Sequence, residues 1–346
     1  MKSLTQLLTV GLACLVGVTA LAGCGGSTPP PAQPPASPAA SPTGAAPTGH
    51  LNIGIAQIVS HPSLDAIRAG FKDCMGTLGY TDVTYNEQNP EGDQAALTSI
   101  ANNFKSANLN LVVAITTPVA QAFAQAITDR PIVFAGVTDP ISAGLVDSWD
   151  QPGGNLTGSS DYPPIADQLN LIKELKPDAK TIGIVYASSE TNAETQTQLA
   201  TDAAKALGMD VRTAAVTNSS EVQQAANSLA GVDAFYVGND NTVVSAIEGL
   251  VQAAEQQKVP VIAADPDSVT RGAVAAYAID QNQMGCEAAK IADQILKGGN
   301  PADIPVVKMA DLKDSLALTI NPSVAAAQGV TIPASMSGKP GVITVG

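Results

Sequence analysis

The chain has 346 residues, 31 of them Asp or Glu against 17 Lys or Arg, a formal net charge of −14 although only 14 % of its residues are charged. No Lys/Arg cluster interrupts that acidity, which argues against a nucleic-acid partner and against electrostatic docking on anionic lipid, since both need a basic face. Solubility accounts for the charge, and the length beyond residue 50 suffices for one large α/β domain or two lobes of ordinary size.

Residues 1–24, MKSLTQLLTVGLACLVGVTALAGC, join one basic residue, Lys2, to an apolar run from about Leu7 to Ala20 that ends in small residues. That is the pattern of a secretory signal, and the run is too short to span a bilayer. Leu21-Ala22-Gly23-Cys24 resembles the lipobox of bacterial lipoproteins. The resemblance implies cleavage before Cys24, acylation of that cysteine (palmitate among the chains) and a mature protein held to the membrane by its N-terminal lipid. A plain export signal that happens to contain Cys24 is the alternative. Residues 25–49 are almost entirely Gly, Ser, Thr, Pro and Ala, with Pro29-Pro30-Pro31 and Pro34-Pro35. Such a segment has nothing to bury and favours extended polyproline II at about 3.1 Å per residue, so it reads as a tether.

From His50 on, short β-rich runs alternate with amphipathic stretches, which predicts parallel sheets with helices on both faces. Strand Leu51–Val59 leads into helix Pro62–Leu78, which has Pro62 in its first turn, Leu64, Ile67, Phe71, Met75 and Leu78 at spacings of three and four, and Gly79 at its end. A strand near Val83–Tyr85, helix Asp93–Ala107, strand Leu109–Ile115, a helix from Pro118 and strand Pro131–Val137 follow. After Pro152-Gly153-Gly154-Asn155-Leu156-Thr157-Gly158 and the Pro163-Pro164 break, the pattern restarts. Helix Ile165–Leu175, strand Thr181–Tyr186, helix Glu194–Leu207, strand Met209–Val216, helix Ser220–Leu229, strand Ala234–Val237, helix Val243–Gln257 and strand Val259–Ala264 come in order. Beyond Gly272 lie strand Ala273–Ile279, helix Gln283–Lys297 and a short strand-rich tail. Two tandem βαβα halves, each a doubly wound lobe, form a cleft between them.

Ligands of open parallel sheets sit at the C-terminal ends of the strands. Those ends are short, polar loops, suited to a small zwitterionic or hydroxylated ligand. Asp139 and Asp161 end strands facing the cleft, where a carboxylate suits a ligand ammonium; helix capping or a hinge hydrogen bond is the other reading. Thr116 and Thr117 stand before Pro118 at a helix start, where hydroxyls and free N–H groups can take a carboxylate or simply cap the helix. Glu190 and Asn192, and Asp240 and Asp265, end strands of the second half, and His61 follows the first strand at the cleft mouth. Tyr162, Tyr186 and Tyr236 are candidates for stacking on a ligand ring, or core residues. His50 and His61 are the only histidines, and no acid or nucleophile is identifiable as a catalytic partner for His61. No Cys/His spacing indicates a metal, and no cofactor is implied. Of the four cysteines only Cys74 and Cys286 remain in the folded body, and two exported thiols invite a disulfide.

The order of these motifs resembles the substrate-binding lipoproteins of ABC importers, of the tryptophan/tyrosine-binding type. The stretches that carry it are His61-Pro62-Ser63-Leu64-Asp65, Thr116-Thr117-Pro118-Val119-Ala120-Gln121-Ala122, Val137-Thr138-Asp139-Pro140, Pro152 to Gly158, Ser160-Asp161, Tyr186 with Glu190 and Asn192, Asp265 and Gln283-Met284-Gly285. The resemblance implies an α/β, type I periplasmic-binding fold: two doubly wound parallel-sheet lobes joined by a three-crossing hinge. It divides the body into an N-terminal lobe, 50–160 plus 281–308, and a C-terminal lobe, 161–280 plus 309–346. It implies a non-enzymatic receptor on the extracytoplasmic face of the bacterial cell membrane that closes around an amino acid or analogue and hands it to ABC permease subunits. It also brings the late helix beside the first, and so Cys286 near Cys74; free buried thiols are the alternative. The loop after Tyr186 departs from the family, which usually has Asn beside that Tyr and Asn-Ser further on; here Ala187-Ser188-Ser189-Glu190-Thr191-Asn192-Ala193 lacks those two polar groups. A ligand sensor for a membrane signalling partner would use the same cleft. An exported α/β enzyme acting on a nucleotide or phosphorylated substrate would need a GxGxxG or GxxxxGK[ST] loop, and Ser60-His61-Pro62-Ser63 stands in its place.

Overall fold

The computed structural model describes residues 49–346; the lipoprotein signal with Cys24, and the tether up to residue 48, lie outside the described residues. The first lobe runs β1 (Leu51–Gln57), α1 (Pro62–Thr77), β2 (Val83–Gln88), α2 (Gln94–Ser106), β3 (Leu111–Ile115), α3 (Thr117–Ala126), β4 (Ile132–Ala135) and β5 (Leu156–Ser160). The second runs α4 (Ile165–Leu175), β6 (Thr181–Ala187), α5 (Thr191–Ala206), β7 (Asp210–Val216), α6 (Val222–Ser228) and β8 (Ala234–Val237). It goes on through α7 (Asn241–Ser245), α8 (Ile247–Gln257), β9 (Val261–Ala263), α9 (Asp267–Thr270) and β10 (Ala275–Ile279). The chain ends with α10 (Gln281–Leu296), β11 (Val307–Lys308), β12 (Leu316–Ile320), α11 (Pro322–Ala325), α12 (Ala334–Ser337) and β13 (Ile343–Thr344).

These strands form two sheets, ordered β11-β5-β4-β3-β1-β2 and β13-β12-β10-β9-β8-β6-β7. Both share the 2-1-3-4-5 winding of doubly wound α/β folds, whose switch point opens a crevice beyond the strand ends. Strands such as Leu111–Ile115 are buried along their whole length, because helices cover both faces of a parallel sheet. The chain leaves the first sheet after β5, returns to the first lobe between β10 and α10, and crosses again between β11 and β12.

Three features depart from the sequence expectation. Leu156–Ser160 is a strand although its Thr, Gly and Ser carry no strand signal; it is buried throughout because β4 and β11 pair with it on either side. The helix expected over Val243–Gln257 is two helices, broken at Ala246 (φ −122°, ψ 29°), the first capped by Asp240. The tail strand β12 runs antiparallel to β10, so the second sheet is mixed.

Helix α10 packs along α1. Glycines allow the approach: a Cβ on Gly285 would lie 2.0 Å from the Ile67 carbonyl oxygen, and one on Gly70 2.2 Å from that of Asn282. Cys74 of α1 and Cys286 of α10 are joined by a disulfide with Cα atoms 5.1 Å apart, closing a separation of 212 residues. A loop of that length contributes about 5 kcal/mol in the chain-entropy account. The Cys74→Ala, Cys286→Ala double variant should therefore melt lower by roughly 10 °C in scanning calorimetry. An unchanged midpoint would mean that glycine-mediated packing alone holds the two helices.

Candidate ligand-binding site

The loops that follow the strands of the two sheets face each other across a cavity. The first lobe supplies His61, Ser63, Leu64 and Ile67 from the β1–α1 turn and the start of α1, Thr116 after β3 and Gly136 after β4. The second supplies Asn192 at the start of α5, Asn239, Asp240, Asn241 and Val244 after β8, and Asp265 after β9. Asp161 and Gln281 enter from the first two crossings. The lobes touch across the cleft: Ser63 Oγ donates to Asp265 Oδ1 at 2.8 Å, Gln196 Nε2 to Thr138 Oγ1 at 3.3 Å and Gln121 Nε2 to Thr191 Oγ1 at 3.3 Å.

Several side chains here hold buried polar atoms with no hydrogen-bond partner within the protein: both ring nitrogens of His61, Thr116 Oγ1, Asp161 Oδ1 and Asn192 Oδ1, with Thr117 Oγ1 next to them in sequence. Each such atom costs about 1–3 kcal/mol when dry, so they are rare unless something else satisfies them. Asp161 takes one bond on its other oxygen, from Asn239 Nδ2 at 2.7 Å, and burial pushes its carboxyl up to about 6. Asn192 is held by its amide nitrogen, which donates to the Asn239 carbonyl at 2.9 Å and to Glu190 at 3.1 Å. Burial holds the His61 imidazole below its ordinary range, against the pull of the Asp265 charge. Thr116 has φ +90° and ψ 158°, which is strained for a β-branched residue. Although it stands at the N-cap position of α3, its hydroxyl caps nothing.

Asp240 and Asp265 line the cavity with their carboxylates already engaged. Asp265 Oδ1 accepts from Ser63 Oγ and from the Ser268 N–H at 2.9 Å. Asp240 accepts the N–H groups of Val243 at 2.9 Å and Ala187 at 2.6 Å, while burial and the nearby Glu190 charge push its carboxyl up to about 8.

Four of the residues singled out in the sequence do not line this cavity. Asp139 turns to its own loop, where Oδ1 accepts the N–H groups of Ile141 and Ser142, both at 3.1 Å. Glu190 is a buried brace for α7: Oε1 accepts from the Thr242 N–H at 3.0 Å and its hydroxyl at 2.8 Å, and Oε2 from Asn241 Nδ2 at 2.6 Å. Pro118 faces a separate groove at the cleft mouth, shared with Glu190, and Thr117 lies buried in the first turn of α3. None of the three tyrosines lines the cavity. The Tyr236 hydroxyl donates to Gln168 Oε1 at 2.7 Å within the core, Tyr186 packs on the core of the second lobe, and Tyr162 sits edge-on to Trp149 at 6.0 Å. Leu64, Ile67 and Val244 form the apolar wall instead.

The sequence reading passed over Ser63, Asn239, Asn241, Val244 and Gln281 as site residues. Asn239 and Asn241 flank Asp240 in a loop already marked as a strand end, and Gln281 follows Asp280, whose carboxylate caps α10. Among the described residues no group of three or more His, Cys, Asp or Glu is placed to hold a metal ion, and no helix is long and apolar enough to cross a membrane.

The family model for ABC transporter substrate binding proteins matches residues 52–343. A tyrosine-binding protein of Clostridioides difficile is 38 % identical over 308 residues, 88 % of each chain. Among solved structures, an ABC domain in complex with L-Trp from Streptococcus pneumoniae is 37 % identical, with a TM-score of 0.81 over 86 % of this chain and 100 % of that one. The ligand-free, open structure of a substrate-binding protein with adhesive properties from Clostridium difficile is 35 % identical, with a TM-score of 0.65 over 85 % of this chain and 99 % of that one. On this fold and these likenesses, the chain belongs to the ABC transporter substrate-binding proteins.

Proposed function

We propose that the protein captures an aromatic amino acid between its lobes and delivers it to the permease subunits of an ABC importer, from the outer face of the membrane where the lipid on Cys24 would hold it. The observation that carries this reading is the distribution of unpartnered polar atoms around one apolar wall. An amino acid has an ammonium and a carboxylate on one carbon. Asp161 Oδ1 offers a buried acceptor for the first, and the Thr116 hydroxyl at the N-terminus of α3 offers a donor for the second. The side chain then packs on Leu64, Ile67 and Val244. Relatives described as tyrosine-binding and as an L-Trp complex support an aromatic side chain.

The higher TM-score to the L-Trp complex than to the open, ligand-free structure, 0.81 against 0.65, supports reading this conformation as the closed one. The lobes that close would be 50–160 plus 281–308 and 161–280 plus 309–346, hinged at the three crossings. A binding role rather than catalysis is supported by the relatives, which are described as substrate-binding and tyrosine-binding proteins.

Isothermal calorimetry of the full chain against the common amino acids should show binding of L-tryptophan, L-tyrosine or L-phenylalanine. Asp161→Asn should weaken it by on the order of 3 kcal/mol, about a hundredfold in Kd. The ammonium needs the ionised carboxylate, and the ligand-free carboxyl sits at about 6. Kd should therefore rise about tenfold per pH unit below pH 6, a step that Asp161→Asn abolishes. Equal affinity of variant and wild type would take the ammonium away from Asp161. Thr116→Gly relieves the positive φ and removes the hydroxyl, so its melting midpoint should hold or rise while its affinity falls; a joint fall of both would make Thr116 merely structural.

A further inference from the structure

Behind the second crossing lies another pocket, of about 130 Å³. Its floor is one face of the tail sheet. Ala278 pairs with Ala317, and alternation along β12 puts Ala317 and Thr319 on one face while Leu318 points into the core on the other. Asp267 follows β9 on one side, Asp280 precedes α10 on the other, and Ile343 of β13, 49 % exposed, forms the rim.

Three observations point to a positively charged occupant. Neither Asp267 nor Asp280 is ion-paired with a Lys, Arg or His among the described residues, and Asp280 commits only Oδ1, to the Gln283 N–H at 2.8 Å. Burial and the Asp265 charge, with a smaller push from Asp280, raise the Asp267 carboxyl against the opposing pull of the Ser63 hydroxyl and the Arg271 charge. Thr319 Oγ1, on a residue only 2 % exposed, has no partner within the protein and lies on the pocket's own face. Two carboxylates and a hydroxyl over a floor of alanines fall short of the six to eight oxygens that calcium takes, but they match the three N–H donors of a primary ammonium on an apolar stem.

We propose that this pocket is a second binding site, for a small alkylammonium ion whose nitrogen is held by Asp267, Asp280 and Thr319 and whose stem lies on Ala278, Ala317 and Ile343. The site is independent of what fills the interlobe cavity, although Gln281 forms part of the wall of both.

Titration of n-butylammonium chloride into the full chain, against potassium chloride at matched ionic strength, tests it by calorimetry. Saturable one-to-one binding is expected, weakened about tenfold in Asp267→Asn and in Asp280→Asn, in which asparagine keeps the cap of α10. The nearly isosteric Thr319→Val should weaken it severalfold, and Asp161→Asn should leave it intact even where amino-acid binding is lost. Absence of saturable heat, equal affinity in the Asp267, Asp280 and Thr319 variants, or loss in Asp161→Asn alone would overturn the proposal, the last by placing the cation in the main cavity.

Discussion

A carboxylate shut between two lobes with one oxygen unpartnered is a cost that a folded chain carries only for a reason. Asp161 is in that position at the first crossing, with Asn239 as its one side-chain partner, and desolvation has moved its carboxyl far from the ordinary aspartate range. Thr116, Asn192 and His61 add unsatisfied atoms around the same space. The rest of the molecule can be understood as the scaffold that keeps these groups dry and aimed. Two sheets end their strands at the cleft, and neighbouring loops are tied down by their own carboxylates, Glu190 to α7 and Asp265 to α9. Several of the atoms left unsatisfied belong to residues that line the interlobe cavity.

The scaffold separates rigid parts from movable ones. Within the first lobe, α1 and α10 approach through Gly70 and Gly285 and are stapled by Cys74 and Cys286, so the wall bearing His61, Ser63, Leu64 and Ile67 moves as one body with the start of α10. Between the lobes the contacts are few and made by side chains: Ser63 with Asp265, Gln196 with Thr138, Gln121 with Thr191. Such bonds are exchanged with water at small net cost, which suits an interface that opens and closes, whereas the packed helix pair does not yield. Ligand binding then needs only a modest difference in affinity between the two arrangements to shift the population.

Much of the architecture is legible in the residues, because parallel strands buried on both faces read as unbroken apolar runs, as in Leu111–Ile115, and helices such as Pro62–Thr77 repeat their apolar positions every three or four residues. Leu156–Ser160 escapes that logic, since its burial comes from neighbouring strands and not from its own polar side chains. The site is legible as a set of strand-end loops but not as a set of side chains. Sequence alone cannot tell Asp161, which turns an oxygen into the cavity, from Asp139, which caps its own turn, for both are carboxylates after a strand. Nor can it separate Asn192 from Glu190, two residues apart, of which one lines the cavity and the other braces α7. The tyrosines misled for a related reason: an amphipathic ring fits a core as well as a cleft, and only the packing partner decides. The proximity of Cys74 to Cys286 depends on topology that no local pattern encodes, and it entered through family resemblance.

The most direct test of the account is a crystal structure of the protein grown with L-tryptophan or L-tyrosine. The account predicts the amino acid in the interlobe cavity, its ammonium in hydrogen-bonding contact with Asp161 Oδ1, its carboxylate at Thr116, and its ring against Leu64, Ile67 and Val244. An amino acid seated in the reverse orientation, or bound outside the cavity while Asp161 keeps its oxygen unpartnered, would contradict it.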